Sequence, residues 1–139
     1  MSDDLAQGPS AATKARVLIV DDEREFAEAL AERLRLRGYA ARAVFSAPEA
    51  AAAAGAEPPD VVLLDLSLPG VRGVELLLTL RQTLPQADII LLSGHLDLAE
   101  KIEGLRLDAF GTLLKPVELP ELIAKIEDAR ARRGAHAAR

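Results

Sequence analysis

Three carboxylates, one hydroxyl and one amine stand out in this chain: Asp21, Asp22, Asp65, Ser93 and Lys115. Though far apart in sequence, each falls directly after a short aliphatic run: Val17–Val20, Val61–Leu64, Ile89–Leu92 and the stretch from about Phe110 to Leu114. Two like charges about 4 Å apart repel by roughly 4 kcal/mol at an effective dielectric near 20, so three converging carboxylates require a compensating cation. Mg²⁺ suits an all-oxygen site that shares its coordination with water. Lys115 contributes a mobile point charge, better matched to a phosphoryl oxygen than to bidentate carboxylate recognition, and Ser93 contributes one hydroxyl donor.

Taken singly, each residue has a plainer explanation. Asp21 and Asp22 could be a helix N-terminal pair favoured by the dipole, Asp65 a turn residue, Ser93 a cap and Lys115 an exposed lysine before a helix. The conjunction at four of five strand ends is far more specific than any member. His95 and His136, the only histidines, make neither a metal cluster nor a Ser/His pair with an orienting acid.

The elements that must position these groups alternate between short aliphatic runs and longer stretches of helical period, the pattern of βα units on a parallel sheet. Five units can be read. Val17–Val20 is a strand buried on both faces, followed by a helix with Phe26, Leu30 and Leu34 on one stripe and ended by Gly38. The second strand, about Ala40 to Phe45, contains Arg42 and reads as an edge; Ser46 and Glu49 form a capping box that opens an Ala-rich helix. Pro58-Pro59 precedes the strand Val61–Leu64, and Pro69-Gly70 leads into a helix bearing Val74, Leu77 and Leu78. Ile89–Leu92 ends in Ser93-Gly94 before a helix with Asp97 as its N-cap and Leu98, Ile102 and Leu105 on its inner face. The last strand leads through Lys115-Pro116 to a helix with Leu119, Leu122, Ile123 and Ile126 buried and Pro120 in its first turn. The fold class is therefore α/β: a doubly wound five-stranded parallel sheet of flavodoxin-like order 2-1-3-4-5. Its ligand crevice lies between strands 1 and 3, where Asp21, Asp22 and Asp65 would flank it.

Composition narrows the function. The 139 residues fit one domain, half of them apolar, with 3% aromatics and no Trp, so base-stacking platforms are lacking. A net charge of −5 leaves no overall basic footprint, and the local cluster Arg130, Arg132, Arg133 and Arg139 complements a helix C-terminus. Nucleic-acid binding by this domain is not expected. The absence of cysteine excludes disulfides and thiol chemistry and permits a reducing compartment. No apolar run approaches the ~20 residues of a membrane span, and a cytoplasmic location is expected. Residues 1–15 read as a disordered N-terminal tail, 16–133 as the domain and 134–139 as a C-terminal tail.

Val20-Asp21-Asp22-Glu23, the run from Leu64 and Asp65 through Ser67 to Pro69-Gly70 with Gly73, Ser93-Gly94 and Lys115-Pro116 together resemble the CheY-like receiver domain of two-component response regulators, over about Arg16 to Arg132. The resemblance implies a (βα)5 receiver fold that accepts a phosphoryl group on Asp65 from a sensor histidine kinase and switches conformation. Mg²⁺ would be held by Asp22, Asp65 and the backbone carbonyl of Ser67, with Asp21 acting through a water. It further implies that Ser93 and Lys115 contact the phosphoryl group and that the Lys115-Pro116 bond is cis. The output face would comprise the fourth helix, fifth strand and fifth helix, meeting a downstream protein or output domain, with a phosphorylation-dependent homodimer left open. Such a domain catalyses its own phosphorylation and dephosphorylation without being counted as an enzyme. Thr112 departs from the family at a position often aromatic, which removes the usual rotamer readout, and His95 lies two residues after Ser93, where side chains influence water access. Three rival readings fit the residues less well. A haloacid-dehalogenase-type phosphatase wants an acid where Ser67 stands, an FMN binder wants a Ser/Thr/Gly-rich cradle after Val20, and a degenerate receiver would lack part of the acidic set.

Overall fold

The computed structural model describes residues 14–65, 72–94 and 111–137. Its strands are β1 (Arg16–Val20), β2 (Ala40–Val44), β3 (Val61–Asp65), β4 (Asp88–Ser93) and β5 (Gly111–Leu114). The helices among the described residues are α1 (Arg24–Leu36), α2 (Ala47–Ala56), α3 (Arg72–Thr83) and α4 (Leu119–Ala137). All strand pairs are parallel and the order is β2-β1-β3-β4-β5, as expected from the sequence. The helix anticipated around Leu98 to Leu105, with its Asp97 cap, lies outside the described residues, as does the segment holding Ser67, Pro69 and Gly70.

Because successive strand residues face opposite sides of a sheet, the uninterrupted aliphatic strands feed two cores at once. Val17, Ile19, Val61, Leu63, Ile90, Leu92 and Leu113 pack with Ala27, Leu30, Ala31 and Leu34 of α1 and Leu122 and Ile126 of α4. Leu18, Val20, Val62, Leu64, Ile89 and Leu91 pack with Ala50 and Ala54 of α2 and Leu76, Leu77 and Leu80 of α3. Burying one such Leu or Ile contributes about 1.5–3 kcal/mol. Leu78, read from the sequence as part of the buried stripe, is 48% exposed; Leu77, expected there, is buried, and Leu76 and Leu80, one turn apart, complete the contact.

The connections follow local chemistry. Gly38 adopts φ 97° directly after α1. Its N–H donates to the Arg35 carbonyl and the Tyr39 N–H to the Leu34 carbonyl, the paired bonds of a Schellman termination. Ser46 Oγ accepts from the Glu49 N–H at 3.3 Å, while Glu49 Oε1 accepts from the Phe45 N–H at 2.9 Å, one residue before the position a reciprocal capping box would use. β2 is an edge strand, and Arg35 Nη1 covers its Ala41 carbonyl at 2.9 Å. α4 continues through Ala137, so residues 134–137, read as tail from the sequence, extend it.

At the N-terminal edge of the sheet, Asp60 ties three strands. The Arg16 N–H donates to Asp60 Oδ2 at 2.8 Å, the Asp60 N–H to the Arg16 carbonyl at 2.9 Å and the Asp88 N–H to the Asp60 carbonyl at 2.9 Å. Arg130 of α4 adds a looser contact, Nη1 to Asp60 Oδ1 at 3.7 Å.

Candidate functional site

At the opposite, C-terminal edge, the strand ends bring the sequence-predicted residues together. Asp21 follows β1, its N–H bonded to the Val44 carbonyl at 3.1 Å; Asp65 closes β3 and Ser93 closes β4. All three are fully buried, whereas Asp22 is exposed. Lys115 follows β5, held by its own N–H, which donates to the Ser93 carbonyl at 2.8 Å. The Lys115-Pro116 bond is cis, as the resemblance implied.

Lys115 Nζ is the electrostatic centre of this edge. It lies 2.9 Å from Asp21 Oδ2, 3.4 Å from Asp65 Oδ2 and 2.7 Å from Glu23 Oε1, with its charge 4.8 Å from the centroid of the Phe26 ring. Asp21 Oδ2 faces the ammonium across this short contact, while Asp21 Oδ1 accepts from the Glu23 N–H at 2.9 Å. Glu23 stands within the Val20-Asp21-Asp22-Glu23 motif and Phe26 on the apolar stripe of α1, but neither is expected at the site from sequence. Their positions at the start of α1, one helical turn apart, were the available signal.

The carboxylates outnumber the single lysine. Asp21, Asp22 and Asp65 each offer an oxygen, and the three lie within 4.8 Å of one another. Opposite ligands of an octahedral ion with 2.1 Å bonds stand about 4.2 Å apart, so this oxygen set fits a small hard divalent cation after slight adjustment. The exposure of Asp22 leaves such a cation open to solvent on one side, which suits an ion that retains water.

The protonation chemistry reflects the same crowding. Burial is the main cause that pushes the Asp21 carboxyl up, to about 6, with the Asp65 charge adding to it, against the opposing hydrogen bond and charge of Lys115 and the Glu23 N–H. Burial alone would lower Lys115, yet hydrogen bonds to Glu23 and Asp21 and the charges of Asp21 and Asp65 hold it above its usual range, so it stays cationic. Because the folded-state value of Asp21 lies above the ordinary 3.8, its contribution to stability is present below about pH 4 and is lost as pH rises through about 6. Without divalent metal, Asp21→Asn should therefore be more stable than the parent at pH 8 by about 1–3 kcal/mol, with the difference shrinking toward pH 4. Denaturant unfolding across that range checks this, and a difference independent of pH would contradict it.

Residues 17–127 match the family model described as the response regulator receiver domain. The chain belongs to that family. The receiver domain is 38% identical over 121 residues to the transcriptional regulatory protein KdpE of Mycobacterium tuberculosis, an alignment covering 87% of this chain and 53% of that protein. It is 40% identical over 119 residues to the sensory transduction protein RegX3 of Mycolicibacterium smegmatis, covering 86% and 51%. The receiver domain thus spans about half the length of the curated relatives it matches. Among solved structures, a CheY-like response regulator receiver domain protein from Methanospirillum hungatei superposes with a TM-score of 0.80 at 27% identity, covering 87% of this chain and 97% of that one. The receiver domain is accordingly a module of two-component systems. Of its expected site residues, Asp21, Asp22, Asp65, Ser93 and Lys115 gather at one sheet edge. Ser67 and His95 lie outside the described residues, and no helix among those residues is long and apolar enough to cross a membrane.

Proposed function

We propose that this receiver domain accepts a phosphoryl group on Asp65 from a phosphohistidine of a sensor kinase, in a Mg²⁺-dependent reaction, and relays the change to a partner or output domain. The observation that carries this reading is a fully buried strand-end carboxylate, Asp65, with Lys115 Nζ at 3.4 Å and the carboxylates of Asp21 and Asp22 in the same oxygen cluster.

Asp21, Asp22 and Asp65 would hold the ion, with the Ser67 carbonyl expected to join them. An ion held there would supply positive charge to offset that developing on the transferring group. An Asp65 oxygen attacks phosphorus in line while the phosphorus–nitrogen bond of phosphohistidine breaks, its electron pair returning to the imidazole, which recovers its proton from solvent. Lys115, kept cationic by its surroundings, donates to one phosphoryl oxygen and Ser93 to another. Water later attacks the phosphorus, releasing inorganic phosphate and regenerating the Asp65 carboxylate. This turnover is self-catalysed rather than directed at an outside substrate, so the domain is read as a switch and not as an enzyme, working in the cytoplasm.

Output is assigned to the segment from about Asp97 to Leu107, β5 and α4. The Lys115 N–H to Ser93 carbonyl bond joins the end of β4 to the end of β5, so motion at Ser93 is transmitted directly to that edge. Thr112, half-buried on β5, is too small to swing between buried and exposed positions, leaving loop and helix packing to bias the two-state equilibrium. Hydrogen exchange with and without beryllofluoride as a phosphoryl mimic should change most between Ser93 and Leu107 and along β5. Changes confined to α2 and α3, with Ser93→Ala behaving as the parent, would contradict this route.

A further inference from the structure

The nearest partner of Lys115 is not the carboxylate it must serve. Nζ stands 2.7 Å from Glu23 Oε1, 2.9 Å from Asp21 Oδ2 and 3.4 Å from Asp65 Oδ2, and the shortest of these contacts is a hydrogen bond to a side chain on the rim of the site. Glu23 is 63% exposed, so its carboxylate is free to leave toward water, whereas Asp21 and Asp65 are enclosed. The loop fixes where it sits: Asp21 Oδ1 accepts the Glu23 N–H, and the Glu23 carbonyl receives the Ala27 N–H as α1 begins. The Phe26 ring closes the other side of the ammonium at 4.8 Å.

We infer that Glu23 is a positioning residue that competes with Asp65 for Lys115, drawing the ammonium toward the β1–α1 loop until a phosphoryl group arrives. This rests on the phosphoacceptor reading given above. An ammonium has three donors, and each one directed at Glu23 or Asp21 is withheld from the group developing on Asp65. A phosphoryl group carries more charge than a carboxylate, so it outcompetes Glu23 and the lysine crosses the site. The exchange lets the solvent-facing carboxylate set how readily Lys115 is released, without touching the reacting atoms.

The test compares the parent with Glu23→Gln and Glu23→Asp in saturating Mg²⁺. Intact mass against time with phosphoramidate gives the rate, and side-chain NMR of Lys115 in the unphosphorylated protein gives its surroundings. Glu23→Gln should phosphorylate about two- to fivefold faster, the range open to an ion pair with one partner in solvent. Glu23→Asp, which keeps the charge on a shorter arm, should fall between it and the parent. The Lys115 ε-carbon and ζ-nitrogen resonances should move in Glu23→Gln. Unmoved resonances, or a Glu23→Gln rate at or below the parent's, would overturn the inference. A parent that takes up no phosphoryl group while those resonances still move sinks the phosphoacceptor reading instead and supports the positioning of Lys115 by Glu23.

Discussion

Incubated with phosphoramidate and Mg²⁺, the parent chain should gain one labile phosphoryl group and Asp65→Asn none. The argument is positional: Asp65 closes β3, lies 3.4 Å from Lys115 Nζ and shares its oxygen cluster with both acids of the neighbouring strand end, Asp21 and Asp22, at the position where the family resemblance puts the phosphoacceptor. Replacing the attacking carboxylate with a neutral amide of nearly the same shape removes the nucleophile, a loss of at least about 10⁴-fold by analogy with nucleophile deletions elsewhere. Unfolding would not explain the loss. The Asp65 charge repels Asp21 and attracts Lys115, so its removal takes away one effect of each sign and should leave the metal-free variant close to the parent in stability. Intact mass reads the first result and thermal melting the second. If Asp65→Asn were modified as readily as the parent, the phosphoacceptor would lie elsewhere.

Mg²⁺ should raise the thermal midpoint of the parent and leave Asp22→Ala unmoved. An ion that binds only the folded state stabilises it by about 2.7 kcal/mol at a hundredfold excess over Kd, which for a domain of this size is a shift of about 10 °C. Asp22 is exposed, so in metal-free protein its replacement should change stability by no more than about 0.5 kcal/mol, and the missing shift reports metal binding alone. The shift in the parent should also weaken as pH falls through about 6, because protonating Asp21 removes one of the three charges facing the ion. An undiminished shift in Asp22→Ala would place the ion outside this cluster.

Much of the architecture was legible because the strands announce themselves. Val61–Leu64 and Ile89–Leu92 are aliphatic without interruption, which only a sheet covered on both faces allows, and the polar residues that follow them mark the ligand edge. Arg42 marked the edge strand correctly for the same reason. What escaped were choices made by neighbouring elements. Leu78 differs from Leu77 by a rotation about α3, and only packing against α2 and the sheet decides which faces inward. The Glu49 carboxylate accepts from the Phe45 N–H rather than the Ser46 N–H because the extended entry into α2 presents that N–H. Glu23 and Phe26 were invisible as partners of Lys115 because they are 92 and 89 residues away in sequence, and their spacing fits an ordinary first helical turn equally well.

Asp60 acquires a further meaning once both edges of the sheet are considered together. It aligns the starts of β1, β3 and β4 on one level, and from there the register runs Val17 with Val61 through Val20 with Leu64, so that Asp21 and Asp65 arrive side by side on the next rung. The strands act as matched rulers, zeroed at one end and read at the other. A single residue inserted into or deleted from β1 or β3 would do more than move one aspartate along its strand. With a two-residue repeat it would exchange the residues offered to the α1/α4 layer and the α2/α3 layer, so the spacing of the carboxylates and the allocation of the two cores are one and the same constraint.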